Sequence, residues 1–346
     1  IVHEIHRSSS GAVYKALHRK TNTKVVLKEK KSPELGPGKQ LDNEAVLLAA
    51  LDHPNIIRCY GYFHDAARRS LFMVLEDAQG GDLQANLRSR ALTRRYLSER
   101  DVLRTFVQIS RGVEYLHSRN IVHRDLKALN VVIDAEGVPK VCDLGVSRLR
   151  SDQTVFLDSF HGTPLYLSPE LVDNEPYTEK TDVWSLGVIL YQLAALRLPF
   201  EGNSLGQIVG LIKEGTYAPL PSHFSRHLTK LLGSMLHRKP GHRPTLAEIV
   251  TYCDQLIAHL DNKAGEGKGS PSQAGAAEHA GSGSSSAAPP PPPPPPGGES
   301  AQSGGVAAAR REGRATDTDS GRAGGGGGGA DGEGSSSSAP PRAAPP

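Results

Sequence analysis

Cysteine, methionine and tryptophan are scarce in this chain of 346 residues, numbering three, two and one. Cys59, Cys142 and Cys253 are an odd number, far apart and without CxxC spacing. They fit reduced core thiols in an intracellular protein, most simply a cytoplasmic one, better than a disulfide frame or a zinc site. No apolar run approaches the roughly 20 residues needed to span a bilayer, and Ile1 is followed at once by His3, Glu4, His6 and Arg7, unlike a secretory leader. The missing initiator Met suggests a fragment. An excess of one charge is also missing: 40 basic against 37 acidic residues leave +3, too little to predict a nucleic-acid or membrane surface.

Aromatic residues are absent from the last quarter of the chain, where every Phe, Tyr and Trp has stopped before position 262. Residues 263–346 hold 20 of the 37 glycines, 13 of the 25 prolines and a single branched apolar residue, Val306. Such a segment cannot bury a core and is predicted to be a disordered tail. Its Pro289–Pro296 run should form stiff polyproline II, a candidate ligand for a polyproline-binding partner, although a solvated spacer is the favoured reading. The predicted folding unit is therefore about residues 1–260, large enough for two lobes.

Within that unit the pattern is α+β. Residues 1–30 alternate apolar and polar, with a Ser/Gly-rich break at Ser8–Gly11 and a turn at Asn22, and Ile56–Tyr62 and Leu71–Leu75 add two more strands. Between them Leu41, Ala45, Leu48 and Leu51 make one face of a helix over Lys39–Leu51, ended by Asp52, His53 and Pro54. From Ser98 the period changes to that of an amphipathic helix carrying Val102, Phe106, Ile109, Val113 and Leu116, and Ser98 with Asp101 resembles a capping box. Asp182–Ala195 is apolar nearly all round, which predicts a buried helix, and Thr245 with Glu248 caps the last one. A small sheet-rich lobe with one helix, about 1–77, precedes a larger helical lobe, about 78–260.

Between the lobes stand His123-Arg124-Asp125-Leu126-Lys127-Ala128-Leu129-Asn130, then Asp143-Leu144-Gly145, then Ser168-Pro169-Glu170. Order and spacing resemble the signature set of the protein kinases, with DLG and SPE variants of two motifs. The likeness extends back to Lys28 and Glu44 and forward to Asp182 and Arg243, across the whole predicted folding unit. The Leu51–Ile57 segment, Gly80-Gly81-Asp82-Leu83 and Gly162–Glu170 are further similar to the NIMA-related (NEK) serine/threonine kinases.

The resemblance implies a two-lobed kinase fold, with ATP and Mg²⁺ held between the lobes and a protein Ser/Thr hydroxyl as acceptor. Phosphoryl transfer needs negative charge neutralised and the acceptor held in line. Lys28 would reach the α- and β-phosphates, held by Glu44. Asp143 and Asn130 would supply hard oxygens to Mg²⁺. Asp125 would be the base or orienting group, with Lys127, the serine/threonine-kinase version of that position, beside the transferred phosphate. Glu76 to Ala78 would form the adenine hinge behind gatekeeper Leu75, and Val13, Val26 and Gly11 would line the nucleotide. In the same family Glu170 and Arg243 form a structural pair, Asp182 is structural, and Thr154, Ser159 and Thr163 are regulatory candidates. Val146 occupies the position that would set a threonine preference in the acceptor. Association with the cytoskeleton, a centrosome or a cilium is implied by that likeness alone.

One departure from the family pattern stands out. His6 and Ser8 replace the first two glycines of the nucleotide loop, leaving Gly11 as the third. If the loop needs positive φ at those positions, each side chain costs on the order of 1 kcal/mol and ATP binding weakens. The rival reading is consequently a pseudokinase, a binding or scaffold module on the same fold.

Overall fold

Side-chain alternation in the first thirty residues produces β1 (His3–Arg7), β2 (Gly11–His18) and β3 (Thr23–Lys31), turned at Asn22, whose φ of 56° is left-handed. With β4 (Cys59–Asp65) and β5 (Ser70–Glu76) they form one antiparallel sheet of order β1-β2-β3-β5-β4. The computed structural model describes residues 1–31, 43–144, 148–149, 165–176 and 178–266. Val146, Thr154, Ser159 and Thr163, and the Pro289–Pro296 run with the rest of the chain after Glu266, lie outside the described residues.

Register divides the sheet into two faces. Val13 opposes Lys28, which opposes Met73, and Val26 opposes Leu75, so these side chains share the face toward the larger lobe. Ala12, Tyr14, Leu27 and Phe72 pack on the other face as a small separate cluster. There the buried Glu29 accepts hydrogen bonds from Tyr14 Oη at 2.7 Å and Ser70 Oγ at 2.8 Å.

The helix predicted after the hairpins is α1 (Asn43–Ala49), which ends two residues before Leu51. Residues 39–42 of that expectation lie outside the described residues. Ala45 and Leu48 are buried in the main core. The Leu51–Ile57 segment then joins the lobes. Asp52 N donates to Tyr115 Oη at 2.8 Å, and Ile57 N and Val141 N close a bridge at 2.9 Å each through Val141 O and Asn55 O. Gly112 makes this close approach available, since a Cβ there would stand 2.5 Å from Asn55 O.

The larger lobe contains α2 (Leu83–Leu92), α3 (Glu99–Ser118), α4 (Pro169–Val172), α5 (Lys180–Ala195), α6 (Leu205–Glu214), α7 (Arg226–Met235) and α8 (Leu246–Glu266). Ser98 caps α3 by accepting from Asp101 N, and Thr245 and Glu248 bond reciprocally at the start of α8. Every residue of α5 from Thr181 to Ala195 is buried, as its all-round apolarity predicted. Helix α8 runs to Glu266, three residues beyond the compositional change at Lys263. Four short strands, β6 (Ile121–Val122), β7 (Val131–Ile133), β8 (Pro139–Val141) and β9 (Arg148–Leu149), pair as β6-β9 and β7-β8 beneath the sheet-rich lobe. Burial pushes the Cys253 thiol up to about 12, as expected of an inert core thiol.

Candidate active site

Strand periodicity aims Lys28 at the space between the lobes, and two carboxylates meet it there. Its Nζ lies 2.7 Å from Glu44 Oε1 on α1 and 2.7 Å from Asp143 Oδ1. Burial opposes the charge on Lys28, but the two carboxylates outweigh it and hold its pKa above the ordinary lysine value. Lys30, two residues on and on the same face, reaches the other oxygen of Glu44 at 3.3 Å. Glu44 thus bridges two strand lysines and fixes α1 against the sheet. Lys30 was missed by the sequence reading, although the two-residue period of β3 carried the signal.

The catalytic loop is built on the turn after β6. Arg124 takes a left-handed φ of 70°, sparsely populated for a residue with a side chain. A buried carboxylate holds it there: Asp182, on α5, accepts His123 N at 2.8 Å and Arg124 N at 2.9 Å, with His117 Nε2 at 2.8 Å. Burial pushes the Asp182 carboxyl up, and these donors outweigh it, so its pKa lies below the usual range. Asp182 therefore organises the loop from behind and makes no approach to the cleft.

At the front of the loop, Lys127 Nζ lies 2.6 Å from Asp125 Oδ2. Asn130 Nδ2 donates to Asp125 O at 2.8 Å and to Asp125 Oδ2 at 3.0 Å, which leaves the amide oxygen of Asn130 for another partner. His123 Nε2 contacts Cys142 O at 3.2 Å, and Cys142 N donates to Asn130 O at 2.9 Å, tying the loop to the residue before Asp143. Asp143 itself has φ of 65°, a second left-handed residue at the site. Tyr166 was also missed: its hydroxyl lies 3.5 Å from Ala128 N and 2.6 Å from Gln192 Oε1, buttressing the loop from below.

Glu76 ends β5; its carboxylate is occupied by Arg58 N at 3.2 Å and Lys140 Nζ at 3.0 Å, and its own N–H donates to Arg58 O at 3.0 Å. Ala78 packs partly buried against the main core, as does Val26. Val13 stands half-buried opposite Lys28.

The nucleotide loop departs from expectation. Neither His6 nor Ser8 is among the residues with positive φ, so the cost anticipated for the two missing glycines is not incurred along this path. Ser8 instead closes the turn, with its N 2.8 Å and its Oγ 3.3 Å from Gly11 O. Gly11 is required for space: a Cβ would lie 1.9 Å from Glu29 O across the β2-β3 pair. Gly11→Ala should part the two strands beneath the loop and cost about 1–3 kcal/mol in chemical denaturation. Unchanged stability would mean that the strand pair is more compliant than its register implies.

Far from the cleft, Arg243 and Glu170 form the expected structural pair, at 2.7 Å and 2.8 Å through two parallel bonds. Both side chains are buried, and Thr181 Oγ1 adds a third bond to Glu170 at 3.0 Å.

The sequence pattern of the protein kinase domain matches residues 2–253. The chain is similar to mouse serine/threonine-protein kinase Nek5, 38% identical over 253 residues, covering 72% of this chain and 39% of that protein. Human serine/threonine-protein kinase Nek2 is 38% identical over 225 residues, covering 64% and 50%. Mouse Nek2 is 35% identical over 272 residues, covering 75% and 60%. The chain thus spans less than two thirds of the length of these relatives.

Proposed function

As this chain belongs to the protein kinase family and resembles its Nek serine/threonine members, we propose that it is an active kinase transferring the γ-phosphate of ATP to a protein Ser/Thr hydroxyl. The observation that carries this reading is the convergence of Lys28, Glu44 and Asp143 within 2.7 Å contacts from three separate parts of the chain. Lys28, kept charged by two carboxylates, suits the binding of phosphate oxygens. Asp125, with one oxygen held by Lys127 and Asn130, can turn the other toward an acceptor hydroxyl and take up its proton. Lys127 is then within reach of the phosphoryl group as it moves.

The donor set fits Mg²⁺. Asp143, whose side chain is 46% exposed, and the amide oxygen of Asn130 would be its hard ligands. Among the described residues no group of three or more His, Cys, Asp or Glu could hold a metal by itself. One or two protein oxygens with substrate phosphates completing the shell is the arrangement Mg²⁺ favours, and the bound ion would neutralise charge on the phosphates.

The binding-module alternative rested on His6 and Ser8, and the ordinary φ at both removes the backbone argument for it. Incubating the purified chain with labelled ATP, Mg²⁺ and a basic protein substrate tests the proposal. Label is expected on substrate Ser/Thr, and Lys28→Met should reduce its transfer by ~10²–10³-fold. Wild-type transfer no greater than that of Lys28→Met would leave the fold as a binding module.

A further inference from the structure

Four arginines, Arg88, Arg90, Arg94 and Arg95, fall within eight positions at the end of α2 and the turn into α3. Arg88, Arg94 and Arg95 are exposed, and Arg90 is half-buried, with its Nε 3.1 Å from Asn86 Oδ1. Among the described residues none of the four has an ion-pair partner. The acidic groups of the flanking elements are engaged elsewhere: Asp82 caps α2 through Ala85 N, Asp101 accepts from Ser98, and Glu99 accepts both N–H and O–H of Ser225.

Two apolar side chains stand among these charges. Leu92 is 80% exposed and Tyr96 52% exposed, the latter edge-on to the exposed ring of His223 at 6.1 Å. The turn that presents them is well fixed. Arg95 N donates to Arg90 O at 2.9 Å, Arg94 N to Ala91 O at 3.2 Å, and Thr93 Oγ1 to Ser89 O at 3.0 Å. Arg94 sits at φ of 52°, where a helix end favours glycine or asparagine because a side chain is disfavoured there. An arginine at that position adds charge to the cluster at a conformational cost that its backbone does not require.

We propose that this turn is a docking surface for an acidic segment of a partner protein, whose apolar residue packs on Leu92 and Tyr96 while its carboxylates pair with the arginines. Charge complementarity selects this partner, since the planar guanidinium fork matches a carboxylate in two bonds. A lipid surface fits less well. The other leucines of α2, Leu83 and Leu87, are buried in the core, so the helix has no apolar face to immerse. None of Arg88, Leu92, Arg94, Arg95 and Tyr96 is among the residues placed around the nucleotide, so the test of this surface is independent of phosphoryl transfer.

The test uses the full chain and three probes in anisotropy titrations: a fluorescent Asp/Glu-rich peptide with one central Phe, the same peptide with Ser for Phe, and vesicles of phosphatidylserine and phosphatidylcholine. The Phe peptide should bind and slow amide exchange at residues 88–96. Both the Ser peptide and the triple variant Arg88→Glu, Arg94→Glu, Arg95→Glu should weaken binding at least ~10-fold. Leu92→Ser should weaken it without altering charge, and Arg88→Ala with Arg95→Ala provides a milder pair should the triple variant lose its melting transition. Kinase activity on a peptide lacking the acidic segment should stay unchanged. Peptide binding that ignores both arginine variants, exchange protection elsewhere, or vesicle binding abolished by the variants while peptide binding persists would overturn the proposal.

Discussion

Asp143→Asn is expected to fold normally and to lose turnover by ~10³-fold, with a much smaller change in ATP affinity. Asparagine is the informative substitution because the φ of 65° at this position tolerates Asn as readily as Asp, so the backbone is undisturbed. The side chain is partly exposed, which limits any effect on stability. What disappears is the negative charge that pairs with Lys28 and is proposed to hold Mg²⁺. Lys28 keeps Glu44 at 2.7 Å and therefore stays in place and charged, so nucleotide contacts survive in part. The loss should consequently appear in kcat, read from initial rates over a range of ATP and Mg²⁺ concentrations beside a melting curve. Near-normal turnover with intact folding would sink the assignment of Asp143 to the metal.

The site motifs were legible because their chemistry dictates residue type: a hard-oxygen ligand or a phosphate-binding lysine admits few substitutes, and the spacing survives as a pattern. The long helices were legible for a different reason. In α3 apolar residues repeat often enough to show a period, α5 is a run apolar nearly all round, and Ser98 and Thr245 mark the starts of α3 and α8 with hydrogen-bonding side chains. Helix α2 escaped because only Leu83 and Leu87 face inward, too few to reveal a repeat. The support behind the catalytic loop was hidden more deeply. His117 meets Asp182 across 65 positions and Tyr166 meets Gln84 across 82, so no local window contains either pair. The effect of His6 and Ser8 could not be read from the sequence because a glycine in a family pattern signals either a left-handed φ or a close approach, and the residue type alone does not distinguish them. In this loop Gly11 meets the second requirement, and neither His6 nor Ser8 meets the first.

Arg243→Ala should be the most destabilising single truncation among the proposed sites, costing about 3–5 kcal/mol, because it strands the buried carboxylate of Glu170. Arg243 also donates to the backbone oxygens of His237, Lys180 and Arg238 and lies over the Trp184 ring at 5.1 Å, so its removal opens the contact between α4, α5 and the turn before α8. The pH dependence separates the charge pair from these other contacts. Burial pushes the Glu170 carboxyl up, but the Arg243 guanidinium outweighs burial and holds it below the usual carboxylate range. A depressed folded pKa gives stability that is complete above the unfolded value of about 4.3 and is lost as pH falls through the folded value. In Arg243→Ala burial acts with less opposition, the folded carboxyl binds its proton more tightly, and acid relieves the penalty instead of creating one. Denaturation curves of the two proteins should therefore differ most near pH 7 and converge as the pH drops below about 4. Equal melting temperatures at pH 7 would remove the pair from the stability of the fold. A gap that stayed constant down to pH 3.5 would assign the loss to the carbonyl and ring contacts of Arg243, because those partners do not titrate.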